Sequence, residues 1–192
     1  MMLKFKIHID NHFLSVLLII ALASLVFNGC AASKKTFAPE IRGPQLIVTP
    51  EVARMGVAKL KDTSIIFRGK GFHPNDSVFI SIIGVEKGSQ VINIPVAESE
   101  VNKDGEFTAE VEMLVKVTEL LRADIGMNDD METIILVSGP PIKEGSYTVR
   151  AESMEYDNKA ECRFEIKNPS LMDRFKDWIG VRLGKIKKVS PQ

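Results

Sequence analysis

The sequence predicts an all-β body: an antiparallel sandwich of about seven strands with a short helical insertion and a C-terminal amphipathic helix. Three observations carry this. Between Pro44 and Lys167, apolar and polar residues alternate with period two in several short runs. Gly, Pro, Asn and Asp interrupt those runs at short intervals. One stretch, Glu112–Glu132, replaces the alternation with helical spacing. Successive side chains of a strand point to opposite faces, so period two marks a sheet with one face buried and one solvated.

Ahead of this body, Lys4 and Lys6 precede an apolar run, Phe13–Phe27, which ends at Asn28-Gly29-Cys30 and turns polar at Ser33, Lys34 and Lys35. A membrane-crossing helix needs about 18–20 apolar residues to span roughly 30 Å of hydrocarbon, and Phe13–Phe27 is shorter. A basic start, an apolar middle and a small-residue end are the order of an export signal. Residues 1–29 are therefore read as a signal peptide and residues 30–43 as a polar tether. The block Leu25-Val26-Phe27-Asn28-Gly29-Cys30 resembles the lipobox of bacterial lipoproteins, with Gly29 as its small residue and with Phe27 and Asn28 departing from the usual pattern. The resemblance implies cleavage before Cys30, acylation of Cys30 by chains such as palmitate, and a lipid-anchored protein of the bacterial cell envelope. Ala31 then implies the outer membrane, by the sorting rule of enterobacterial lipoproteins. An ordinary cleaved signal and an uncleaved anchor are the alternatives. Two or more acyl chains hold a protein firmly where one gives only marginal binding, and Ala31–Gly43 spans at most about 45 Å when extended.

The strands follow in order. Leu46–Thr49 is a short apolar run stopped by Pro50. Thr63–Arg68 is β-branched and aromatic and ends at Gly69 and Gly71. In Ser77–Val85, Val78, Ile80 and Ile82 share one face. Glu86–Gln90 is a turn with Gly88, and Val91–Val96 carries Pro95, which suits an edge strand because proline donates no ladder hydrogen bond. Asn102-Lys103-Asp104-Gly105 predicts a hairpin, because Asp-Gly accepts the positive φ of a tight turn. Phe107, Ala109 and Val111 alternate after it; later, so do Tyr147, Val149 and Ala151, then Cys162, Phe164 and Ile166.

Three of these segments also resemble a family. Gly69-Lys70-Gly71-Phe72-His73-Pro74-Asn75-Asp76-Ser77-Val78, Val101-Asn102-Lys103-Asp104-Gly105-Glu106-Phe107 and Glu144-Gly145-Ser146-Tyr147-Thr148-Val149-Arg150-Ala151 are similar, in that order, to stretches of bacterial immunoglobulin-like domains of the IPT/TIG type, with Glu144 in place of a proline. The resemblance covers roughly 44–167. It implies an immunoglobulin-like β-sandwich with a binding or spacer role, and it carries over no catalytic residue.

Within the breaking stretch, Leu114, Val117, Leu121 and Ile125 recur at helical spacing, which predicts a helix over 113–125, with Asn128-Asp129-Asp130 ending it as an acidic loop. Capping of the core and contact with a partner are both open roles for it. At the end of the chain, Asn168-Pro169-Ser170 offers a helix start with Asn168 or Ser170 as cap. Leu171, Phe175, Trp178, Ile179, Leu183 and Ile186 then recur at helical spacing, beside Arg174, Lys176, Arg182, Lys185, Lys187 and Lys188 and only two acids, Asp173 and Asp177. Residues 168–192 therefore form a basic amphipathic tail. Leu171, Arg174, Phe175, Trp178, Ile179, Arg182 and Lys185 are its candidate contacts with a membrane or a partner; packing on its own acidic body is the third reading.

Composition narrows the chemistry. Without residues 1–29 the basic and acidic counts nearly cancel, to about −1, which is not the footprint of a nucleic-acid binder. His73 is then the one histidine and Cys162 the one cysteine besides Cys30, so neither a disulfide framework nor a His/Cys metal cluster is expected. Cys162 shares a face with Phe164 and Ile166 and reads as a core thiol. Glu100–Glu106 and Asn128–Glu132 are carboxylate-bearing turns without the ligand order of a calcium loop, and no phosphate-binding glycine loop occurs. The expected protein is a non-enzymatic, membrane-anchored binding or assembly module without cofactor. Its expected contacts are the membrane through lipidated Cys30 and an envelope protein partner. The alternatives are an accessory subunit of an envelope enzyme, marked by converging carboxylates in a concave site, and a purely structural spacer.

Overall fold

The computed structural model describes residues 35–189. The expected signal peptide at 1–29, Cys30, residues 31–34 of the expected tether and residues 190–192 lie outside the described residues. Among the described residues, eleven strands form three sheets. The first sheet has the order β1-β3-β6, from β1 (Gln45–Thr49), β3 (Ile66–Lys70) and β6 (Glu106–Glu110). The second has the order β2-β10-β9-β4-β5, from β2 (Val52–Arg54), β10 (Lys159–Lys167), β9 (Gly145–Ser153), β4 (Ser77–Lys87) and β5 (Gln90–Glu100). The third, β11-β8-β7, joins β7 (Ala123–Met127), β8 (Thr133–Val137) and β11 (Ile186–Lys188). This is an all-β, immunoglobulin-like sandwich with a short internal helix and a C-terminal helix.

The core lies between the first two sheets. Val78, Ile80, Ile82, Val149, Ala151, Phe164 and Ile166 face it from one side, and Val48, Phe67, Phe107 and Ala109 from the other. Phe67 and Phe164 meet edge to face, ring centres 6.5 Å apart, across the two layers. A fully buried side chain of this kind contributes about 1.5–3 kcal/mol. Cys162 is packed against the same cluster, and burial pushes its thiol up to about 12. Pairing is antiparallel except at two places: β2 runs parallel to β10, and β11 parallel to β8. The first arises because the chain leaves β1 through Pro50 and crosses to the opposite sheet as β2. Pro95 sits on β5, the edge of the five-stranded sheet, and the register shifts by one residue beside it, between Ile80 and Ser81.

The Asn102–Gly105 turn has the expected local geometry but not the expected connection. Gly105 has φ +75°, and the Asn102 side-chain oxygen accepts from the N–H groups of Asp104 and Glu106, both at 2.9 Å. The strands it joins, β5 and β6, belong to different sheets, so the turn hands the chain across the sandwich instead of closing a hairpin. A Cβ at Gly105 would stand 2.7 Å from the carbonyl oxygen of Phe72, so only glycine fits there. Asp76, in the neighbouring loop, is buried; it accepts from the N–H groups of Ser77 (2.7 Å) and Glu155 (3.2 Å) and from the Ser153 hydroxyl. Burial alone would raise its carboxyl, but these bonds outweigh burial and hold it below the usual value. His73 is exposed and stacks on Tyr156, ring centres 3.8 Å apart.

The helical insertion is shorter than the spacing predicts. Met113–Val115 (α2) continues into a π-helical turn at Lys116–Leu120, and 123–127 is strand β7. Arg122 explains the stop: its φ of +52° is left-handed and ends any right-handed helix. Val117, Leu120 and Leu121 are buried, whereas Leu114 and Ile125 are exposed, so the apparent helical repeat joins a helix face to a strand. Asn128–Glu132 is the turn between β7 and β8, with the Asn128 oxygen accepting from the N–H groups of Asp130 and Glu132.

A candidate docking face on the C-terminal helix

Helix α3 (Leu171–Arg182) begins at a capping box. The Ser170 hydroxyl accepts from the Asp173 N–H at 3.2 Å, and the Asp173 carboxylate accepts from the Ser170 N–H at 2.9 Å. It ends in a Schellman motif: Gly184 has φ +69°, its N–H bonds the Val181 carbonyl at 3.1 Å, and the Lys185 N–H bonds the Gly180 carbonyl at 2.9 Å. The helix therefore stops before Ile186, which the helical spacing had included. Ile186 is buried in β11, and the tail beyond the helix is built into the third sheet.

The helix docks by its polar face. Asp173 is buried and Asp177 half-buried. The Asp177 carboxylate accepts from the N–H groups of Val57 (3.1 Å) and Ala58 (2.8 Å), the first residues of helix α1 (Val57–Lys61). Gly56, the residue capping α1, supplies no side chain, so Asp177 satisfies those donors from another helix. At the opposite end of α1, buried Lys116 donates to the carbonyls of Lys61 (3.1 Å) and Thr63 (2.9 Å). An anion at its N-terminus and a cation at its C-terminus both complement the dipole of this short helix. Asp173 lies against Gly56, where an added Cβ would stand 2.8 Å from its own Cβ. Burial alone would raise the Asp173 carboxyl; the bonds to Ser170, with Arg54 and Lys59 nearby, bring it below the usual value.

At 3.6 residues per turn, Asp173, Asp177 and Gly180 share one side of α3, and Leu171, Phe175, Trp178, Ile179 and Arg182 share the other. That second side faces solvent: Leu171 is 85% exposed, Phe175 54%, Trp178 53% and Ile179 37%. Phe175 and Trp178 stack with ring centres 5.9 Å apart, and the Arg182 guanidinium lies 5.3 Å above the Trp178 ring. An amphipathic helix normally buries its apolar stripe; α3 is inverted. Of the sequence-predicted contacts, Leu171, Arg174, Phe175, Trp178, Ile179 and Arg182 are all exposed positions of this helix. Lys185 is not on it: it follows Gly184 and pairs with Glu132 at 2.7 Å. Sequence reasoning missed that the two acids point inward. Ser170-x-x-Asp173 and the i, i+4, i+7 spacing of Asp173, Asp177 and Gly180 are the signals that could have found it.

Among the described residues, no group of three His, Cys, Asp or Glu side chains is placed to hold a metal ion. An apolar hollow of about 460 Å³ is lined by Val57, Ala58, Met113, Ile135, Gly180 and Ile186, with Thr133, Lys61 and Lys185, and holds no carboxylate. Among the described residues, no helix is long and apolar enough to cross a membrane.

No family profile and no curated protein matches the chain. Solved structures overlap it only loosely. A Pseudomonas fluorescens alkylpurine DNA glycosylase is 11% identical, over 66% of this chain and 31% of its own, with a TM-score of 0.32. A Listeria innocua β-glucosidase is 12% identical, over 64% of this chain and 16% of its own, with a TM-score of 0.32. The CARDB domain of a Pyrococcus furiosus protein is 14% identical, over 69% of this chain and 97% of its own, with a TM-score of 0.26. The chain thus spans about a third or less of the glycosylase and the glucosidase.

Proposed function

We propose that this protein is a lipid-anchored lipoprotein of the bacterial cell envelope, a non-enzymatic binding or assembly module of the IPT/TIG-type immunoglobulin-like class. The observation that carries the binding role is the inverted helix α3, which turns Leu171, Phe175, Trp178 and Ile179 to solvent while Asp173 and Asp177 fasten it to the body. A spacer needs no such face, because exposing apolar surface confers no stability on the fold. The anchor is supported by the signal-like order of residues 1–29 and the lipobox-like block ending at Cys30. The fourteen-residue stretch from Ala31 to Pro44 would hold β1 within about 50 Å of that lipid. The outer membrane is the proposed address, from Ala31. The test is fractionation of envelopes with the native chain and with Cys30→Ser, followed by crosslinking pull-down. The native chain is expected in the membrane fraction and the variant released or unprocessed; unchanged membrane residence with normal processing contradicts the anchor.

A further inference from the structure

We infer that the outward face of α3 seats in the interface of an anionic bilayer, giving the protein a second membrane contact that sets the orientation of its domain; this rests on the envelope-anchored reading above. The argument is charge complementarity. The only two acids of α3 are turned inward and engaged by Ser170 and by the N-terminus of α1. The exposed surface of the helix is therefore apolar and cationic, with no anion of its own. Arg174, Lys176 and Arg182 form no ion pair among the described residues, so their charge is available to an anionic surface. Trp178 is a residue type that settles at headgroup level, where an apolar ring with a polar N–H meets water, and Phe175 adds to the apolar face of an interfacial helix. A helix of this composition lies in the interface plane with its apolar face roughly 5–10 Å deep, and anionic lipid strengthens its binding. A protein partner of this helix would need an acidic, apolar groove; a bilayer supplies both properties at once.

Trp178 is the one tryptophan of the chain, so its fluorescence reports on α3 alone. The test uses the full acylated chain, purified from envelopes and reconstituted into vesicles of phosphatidylglycerol and phosphatidylcholine with brominated acyl chains. Emission from Trp178 is expected to be quenched in these vesicles, and much less in phosphatidylcholine alone or in an Arg174→Glu/Arg182→Glu variant. Flotation of the vesicles with the protein reports the Cys30 anchor separately. Protein that floats with Trp178 unquenched overturns the helix contact and leaves the anchor standing. Unquenched Trp178 together with a photoreactive group at position 175 that captures a protein in intact envelopes overturns the lipid in favour of a protein partner.

Discussion

The Asp177 carboxylate accepts a 2.8 Å hydrogen bond from the backbone N–H of Ala58, and that bond joins the C-terminal helix to the body of the domain. With its companion to Val57 it makes one acidic side chain the cap of a helix more than a hundred residues away in sequence. Asp177→Ala removes two charge-assisted bonds and leaves two N-terminal donors without a protein acceptor. Such bonds contribute about 1.5–3 kcal/mol. Urea unfolding should show a loss of about that size, and amide exchange should quicken in α1 and α3 before the sandwich core.

Lys116 is the counterpart at the other end of α1. Lys116→Met keeps the stem and deletes the ammonium, leaving the Lys61 and Thr63 carbonyls unpaired. A loss of about 1–3 kcal/mol is expected, read by the same unfolding measurement. A variant as stable as the native chain would show that water satisfies those carbonyls equally well.

Gly56 is held to glycine by space, not by φ. Gly56→Ala places a Cβ 2.8 Å from that of Asp173, so α3 must shift away. Thermal unfolding should fall by an amount typical of overpacking, about 1–3 kcal/mol, and Trp178 emission should change with it. The paired variant Gly56→Ala/Asp173→Gly, which removes the clash, should recover part of the packing but lose the capping box.

Acid should act through Asp76. Its carboxyl is held below the ordinary 3.8, since its three donors outweigh the effect of burial. A group with a depressed folded-state value contributes stability that is complete above its unfolded value and is lost as pH falls through the folded one. Stability should therefore be insensitive to Asp76 above about pH 4–5 and decline below it. Asp76→Asn should be less stable at neutral pH and show a shallower acid decline, measured by denaturation at several pH values.

How much of this the sequence disclosed depended on the range over which its signals act. The faces of β4, β9 and β10 were legible because Val78-x-Ile80-x-Ile82 and Phe164-x-Ile166 bury on a local period of two. The edge position of β5 was legible from Pro95. Asn102–Gly105 specified its turn but not which sheet came next, because the same Asx geometry serves either connection. Leu114 to Ile125 imitated a helix, and only the left-handed Arg122 broke it, a conformation that nothing in an arginine announces. The exposed residues of α3 were found from their spacing. Which way the helix faced was not, because that depends on a bond between Asp177 and Ala58, partners remote in the chain.

The most direct measurement of whether the outward face of α3 is the protein's contact surface is photocrosslinking in intact envelopes. Phe175→benzoylphenylalanine is compared with the same change at Lys103, an exposed residue of the turn between β5 and β6. Adducts to lipid at position 175 and none at position 103 are predicted. Equal labelling at the two positions, or none at either in correctly localised protein, would contradict the account.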